Sequence, residues 1–141
     1  MGAAATDREG LEVLRFQECL ELLDTQPVGR IAFVHAGLPV VLPVNHRRDD
    51  RTVVFRTAPG SMLDAAMMRH VVAFEVDHYD ADARTGWSVV LRGSSDVVTD
   101  DDEVARLDRL GLHPWADRAD RRDWVRIRPT EVSGRRIVRP D

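Results

Sequence analysis

The chain is punctuated: β-branched and aromatic runs recur along it, each cut off by Gly, Pro or Asp clusters too short to hold a structure of their own. VGRIAFVH and LPVVLPVN flank Ala36-Gly37, TVVFRT follows Asp49-Asp50, and HVVAFEVDHY and TGWSVVLRGSSDVVT come next. WVRIRP and EVSGRRIV close the chain on either side of Pro129. Within the runs the period is two. Val72, Phe74 and Val76 share one face, and Trp87, Val89 and Leu91 alternate with Ser88, Val90 and Arg92. Pro39 and Pro43 have no N–H to give a ladder, so their strand is expected at an edge or a bulge, with backbone free to meet a ligand. Gly93 reads as a bulge.

Helical signals are few. Phe16, Cys19, Leu20, Leu22 and Leu23 recur at helical steps until Pro27, MLDAAMMRH follows Pro59-Gly60-Ser61, and Thr99 to Glu103 caps a helix running to about Leu110. The pattern predicts a mainly β, α+β fold: about six antiparallel strands closed into a barrel, with small helices inserted. Residues 1–15 read as a mobile lead-in and 16–141 as a single domain.

The chain has no lysine; all 20 of its basic residues are arginine. Schiff-base chemistry, a pyridoxal-phosphate lysine and a P-loop lysine are therefore excluded, and a bound phosphate must rely on Arg, hydroxyls or backbone amides. The lone Cys19 excludes an internal disulfide and a thiolate zinc cluster, which suits a reducing compartment. No apolar run approaches membrane-spanning length and the N-terminus lacks a signal-peptide pattern, so a cytoplasmic location is expected. His35, His46, His70, His78 and His113 show no ligand spacing, so no metal site is expected. Ser94-Ser95 has no nucleophile elbow around it.

A net charge of −4 excludes a global basic field. Arg121, Arg122, Arg126, Arg128, Arg135, Arg136 and Arg139 still crowd the C-terminal end, with Trp124 the one aromatic among them. That stretch reads as a solvated face, a partner for the acidic run at Asp100 to Glu103, or a contact for an anionic ligand; nucleic acid is not the expected partner.

FRTAPGSML carries the most chemistry. A strand ends on Arg56 and Thr57, and a glycine turn then presents Ser61 at a helix start, where free N–H groups attract anions. The alternative is local: Ser61 caps its own helix with Asp64 completing the box, and Arg56 is solvated. Trp87 is either a stacking surface or core filler, and His46 either a ligand wall or a surface histidine.

Taken in order, ECLELL, PVGRIAFV, LPVVLPVNH, VVFRTAPGSML, VAFEVD, TGWSVVLRG and WVRIRPTEVSGRRI resemble the pyridoxamine 5′-phosphate oxidase-like flavoproteins, from Phe16 to Ile137. The resemblance implies a six-stranded split β-barrel of the FMN-binding type. It also implies a homodimer holding FMN, or a deazaflavin coenzyme, at the subunit interface, with oxidoreductase activity on a small-molecule substrate. By residue, it puts Arg56, Thr57 and Ser61 on the phosphate and Val44, Asn45 and His46 along the isoalloxazine. Trp87, Ser88 and Arg92 would come from the partner's long strand. No catalytic acid or base is implied. Met62 departs from the pattern, because relatives carry there a Lys that reaches the phosphate; Arg69 or a C-terminal Arg would have to substitute. That departure keeps open a non-catalytic flavin-binding module or a cofactor-free scaffold. The C-terminal segment is a poor match to the substrate-recognition segment of the vitamin B6 oxidases, so that reaction is not the one expected.

Overall fold

Two prolines set the boundary of the sheet. In the computed structural model, which describes residues 5–68, 70–116 and 123–138, β3 (Leu38–Asn45) pairs with β2 (Val28–His35) alone and lies at one end of the strand order. Its missing N–H groups thus cost no ladder bond in mid-sheet. The β2–β3 turn has positive φ at both Ala36 (51°) and Gly37 (77°), the twist a tight two-residue hairpin needs.

The remaining strands are β1 (Glu12–Val13), β4 (Arg47–Asp49), β5 (Thr52–Thr57), β6 (His70–Asp80), β7 (Thr85–Val97) and β8 (Asp123–Ile137). They run antiparallel in the order β3-β2-β6-β7-β8-β5-β4, with β1 added on β8. The two end strands, β3 and β4, are separated in sequence by His46 alone. A flat sheet cannot satisfy that connection, so the sheet curls until β3 and β4 come together at that corner, giving the expected split barrel. Six strands are long, as the sequence implies; β1 and β4 are short additions.

Inside the roll, Ile31, Phe33, Val53, Phe55, Phe74, Val76, Val89, Leu91, Val125 and Ile127 form the core, each from the inward parity of its strand. Burying each such side chain contributes about 1.5–3 kcal/mol. Helix α1 (Phe16–Leu23) adds Cys19, Leu20 and Leu23. Gly29 is required by close approach: a Cβ there would lie 2.2 Å from the Phe74 ring. His46 joins the same core at 2% exposure and is not a surface residue. Its Nε2 donates to the Leu23 carbonyl at 3.0 Å, and its ring meets Phe74 edge-on at 5.1 Å.

Three further differences from the sequence reading have physical reasons. WVRIRP and EVSGRRIV form one strand, β8, because Pro129 sits opposite the bulge at Arg92/Gly93, where the ladder already breaks. Helix α2 stops at Ala66 (Met62–Ala66) because Ser95 Oγ donates to the carbonyls of Met67 and His70, drawing the chain into β6. The lead-in is anchored over its described part: β1 pairs with β8, Leu14 is buried, and Asp7 binds Arg135 at 3.0 Å.

Helix α3 (Asp101–Asp108), capped by Asp100, covers the outer face of β5 and β8, where Val54, Leu107, Leu112 and Trp124 make a second apolar cluster. Arg126 is buried there between Asp49, at 2.8 Å, and Glu103. Arg106 also reaches Asp49 at 2.7 Å; these guanidinium bonds, Arg106 first, hold the Asp49 carboxyl down at about 2 despite burial.

Arg126→Ala removes the buried one of the two guanidinium groups that Asp49 and Glu103 share and leaves them only the half-exposed Arg106. It should lower urea-unfolding stability by about 2–3 kcal/mol, below the range for fully buried pairs because both acids keep some solvent contact. His46 loses stability as pH falls, in the same direction as a salt-bridged acid but for a different reason: burial lowers its folded pKa below the unfolded value. Its stabilising share is therefore complete above about pH 6.5 and is lost as pH falls below that. The stability gap between wild type and His46→Asn should narrow between about pH 8 and about pH 5; a constant gap would contradict it.

Candidate functional site

At the start of α2, Thr57 and Arg56 are consecutive on β5 and so point to opposite faces. Arg56 goes to the α3 side, its guanidinium 4.8 Å from the Trp124 ring centroid and 3.7 Å from Asp108 Oδ1. Thr57 is buried and donates its hydroxyl to Asp64 Oδ1 at 2.8 Å. The other Asp64 oxygen accepts from the Gly60 N–H at 3.1 Å, and Ser61 Oγ accepts from the Asp64 N–H at 3.1 Å. Ser61 is thus the N-cap of its own helix. Asp123 stands beside Asp64, its carboxyl raised above the usual range by burial and then by that neighbour. Met62 is 44% exposed, and Arg69 lies outside the described residues. This set does not fit the terminal phosphate dianion of FMN, since Asp64 already holds the Thr57 hydroxyl and the Gly60 N–H and, with Asp123, places two carboxyl groups where the dianion would sit.

A flat cleft of about 200 Å³ lies along the edge at β3, lined by Val28, Pro43, Val44, Asn45, Trp115 and Ala116. Asn45 organises it. Its Oδ1 accepts the backbone N–H of Trp115 at 2.8 Å, and its Nδ2 donates to the Pro27 carbonyl at 3.3 Å. Trp115 is 72% exposed, so the bond tethers the backbone of a residue whose large aromatic side chain faces solvent instead of the core. Uncharged walls and an exposed indole suit an isoalloxazine ring. Sequence reasoning did not single out Trp115; its signal was a solitary Trp in the loop HPWAD, where no strand or helix period asks for one.

The larger cleft, about 410 Å³, lies elsewhere on the barrel and includes Leu11, Arg30, Asp77, Trp87, Ser88 and Arg135. Trp87 packs partly on the core, Ser88 takes the other face of β7, and Arg92 is exposed and paired with Glu131 at 3.0 Å. Arg30 bridges Glu75 at 3.2 Å and Asp77 at 3.3 Å. Burial and then Asp77 push the Glu75 carboxyl up to about 7. The alternation in FEVD, which puts both acids on one face, was the signal for this pair.

The expected site residues therefore occupy separate places in one chain. Val44 and Asn45 share the β3 cleft, His46 is inside the barrel, and Thr57, Ser61 and Met62 gather at α2. Arg56 lies under α3, and Trp87 and Ser88 line the second cleft. Within the arginine-rich end, Arg126 binds Glu103, Arg135 binds Asp7, and Arg136 binds Glu12 and Glu18. Arg121, Arg122 and Arg139 lie outside the described residues. No group of three His, Cys, Asp or Glu side chains placed to hold a metal occurs among the described residues, and none of their helices is long and apolar enough to cross a membrane.

Known proteins give the arrangement a family. A family model described as pyridoxamine 5′-phosphate oxidase matches residues 16–136. The uncharacterized protein Rv0080 of Mycobacterium tuberculosis is 41% identical over 136 residues, covering 93% of this chain and 88% of the relative. Among solved structures, the FAD binding protein from Mycobacterium smegmatis is similar at a TM-score of 0.76 and 34% identity, over 89% of this chain and 97% of that one. A Corynebacterium glutamicum protein bearing the pyridoxamine 5′-phosphate oxidase name reaches 0.81 at 33% identity, over 92% and 99%. With the model spanning the whole barrel and these identities along its length, the chain belongs to the pyridoxamine 5′-phosphate oxidase family.

Proposed function

We propose that this protein binds a flavin at a boundary between two copies of the chain and acts as a flavin-dependent oxidoreductase. The observation that carries this reading is the β3 cleft with its exposed, anchored Trp115, in a chain similar over nearly its whole length to a protein named for FAD binding. A bound flavin supplies the redox step, accepting and returning a hydride.

The chain's own work is binding and orientation. Val28, Pro43 and Val44 provide an apolar wall, the free edge of β3 offers backbone groups that no neighbouring strand uses, and the Trp115 indole gives a stacking face. Asn45 is a positioning residue: its carboxamide is engaged on both sides, so it acts by holding Trp115 in place. Trp87 and Ser88 lie in a different cleft of the same chain, and in this reading a second copy brings its own pair to the ring. The homodimer is thus part of the proposal, because one chain alone supplies only part of the wall.

Titration with FAD, followed by quenching of tryptophan fluorescence, should show saturable binding. Trp115→Ala should weaken it about tenfold or more, and Trp115→Phe should recover most of the loss, since stacking needs a ring and not an indole N–H. The unfolding free energy should stay within about 0.5 kcal/mol of wild type, because the side chain is mostly in solvent. Absence of any flavin affinity would contradict the function, and wild-type affinity in Trp115→Ala would place the ring elsewhere.

A further inference from the structure

The α2 end is built of groups that satisfy one another. Asp64 takes the Thr57 hydroxyl and the Gly60 N–H, and its own N–H goes to Ser61 Oγ. An incoming phosphate would have to displace a carboxylate from the same two donors and then sit against that carboxylate and Asp123. The repulsion between like charges at such distances in a partly desolvated site outweighs what two neutral hydroxyls return. At position 62, where a cation could reverse the balance, the chain carries Met62, half in solvent. Arg56, one residue before Thr57, is committed to the opposite face of β5, over Trp124 and beside Asp108. Five helical residues also give α2 only a weak dipole to offer.

We propose that the flavin seat of this chain does not grip a terminal phosphate: it takes the flavin by its ring and excludes the dianionic end of FMN from the α2 turn. The inference rests on the flavin reading above and narrows it to a flavin without a phosphate monoester at that place, such as a dinucleotide whose phosphates are esterified on both sides. A working phosphate seat has a clear signature, since one charge-assisted hydrogen bond makes FMN bind about ten- to a hundredfold tighter than riboflavin.

The experiment is calorimetric titration of the apoprotein with riboflavin, FMN and FAD under one buffer condition free of phosphate. The proposal expects FMN to bind no more than about threefold tighter than riboflavin. FMN binding tenfold tighter or more would overturn it while leaving the flavin reading intact. No binding by any of the three would remove the flavin reading, and this inference with it. Met62→Lys and Met62→Lys with Asp123→Asn test the cause. Both changes spare the Thr57–Asp64–Ser61 hydrogen bonds, and matched unfolding midpoints would show that the fold is kept. A preference for FMN over riboflavin rising about tenfold in the double variant supports the assignment, and an unchanged preference in both variants contradicts it.

Discussion

The fold depends on one steric and topological constraint, the single-residue connection between the two end strands of the sheet. With only His46 between β3 and β4, these two strands must come together at that corner, and the sheet must curl around whatever lies inside. Phe74 occupies that interior, Gly29 makes room for it, and the His46 ring closes on its edge. The imidazole is held by the Leu23 carbonyl, so α1 is fastened at the same point. Closure, core packing and helix docking are thus one event, which is why a polar side chain is found at the seam of an apolar core.

Because the interior is filled with side chains, ligands are left with the outside of the barrel. The outer surface divides into regions of different character. Under α3 a charge network around Arg126 joins β4, β5, β8 and the helix, a structural use of arginines that composition alone leaves ambiguous. Around Arg30 the sheet carries paired acids, and along β3 it carries an uncharged slot. Strong ion pairs occupy the first region, whereas the slot along β3 offers the uncharged walls that the proposed flavin ring requires.

Much of the fold was legible in the sequence because its signals are local. The hairpin at Ala36-Gly37, the inward face Val72-Phe74-Val76, the bulge at Gly93 and the edge character of the Pro39-Pro43 strand each follow from residue chemistry within a few positions. What was not legible depends on distant partners. The fusion of the last two strands across Pro129 needs the bulge on β7, and the early end of α2 needs Ser95, nearly thirty positions away in the chain. The site divides in the same way. Ser61 as an N-cap was open to reading from its own neighbours, whereas the inward turn of His46 and the clasp of Trp115 by Asn45 arise only when the barrel closes.

The family supplies the frame within which these departures acquire meaning. A chain without lysine cannot hold a phosphate at α2 through an ammonium group, and this one has put mutually satisfied polar groups there instead. In the proposed dimer, the β3 cleft of one copy and the Trp87–Ser88 cleft of the other share one flavin ring. Native mass spectrometry of the protein as isolated, or after incubation with FAD, tests this account most directly. It predicts a species of two chains carrying one flavin per chain. A lone chain, or a pair that stays empty with excess flavin present, would contradict it.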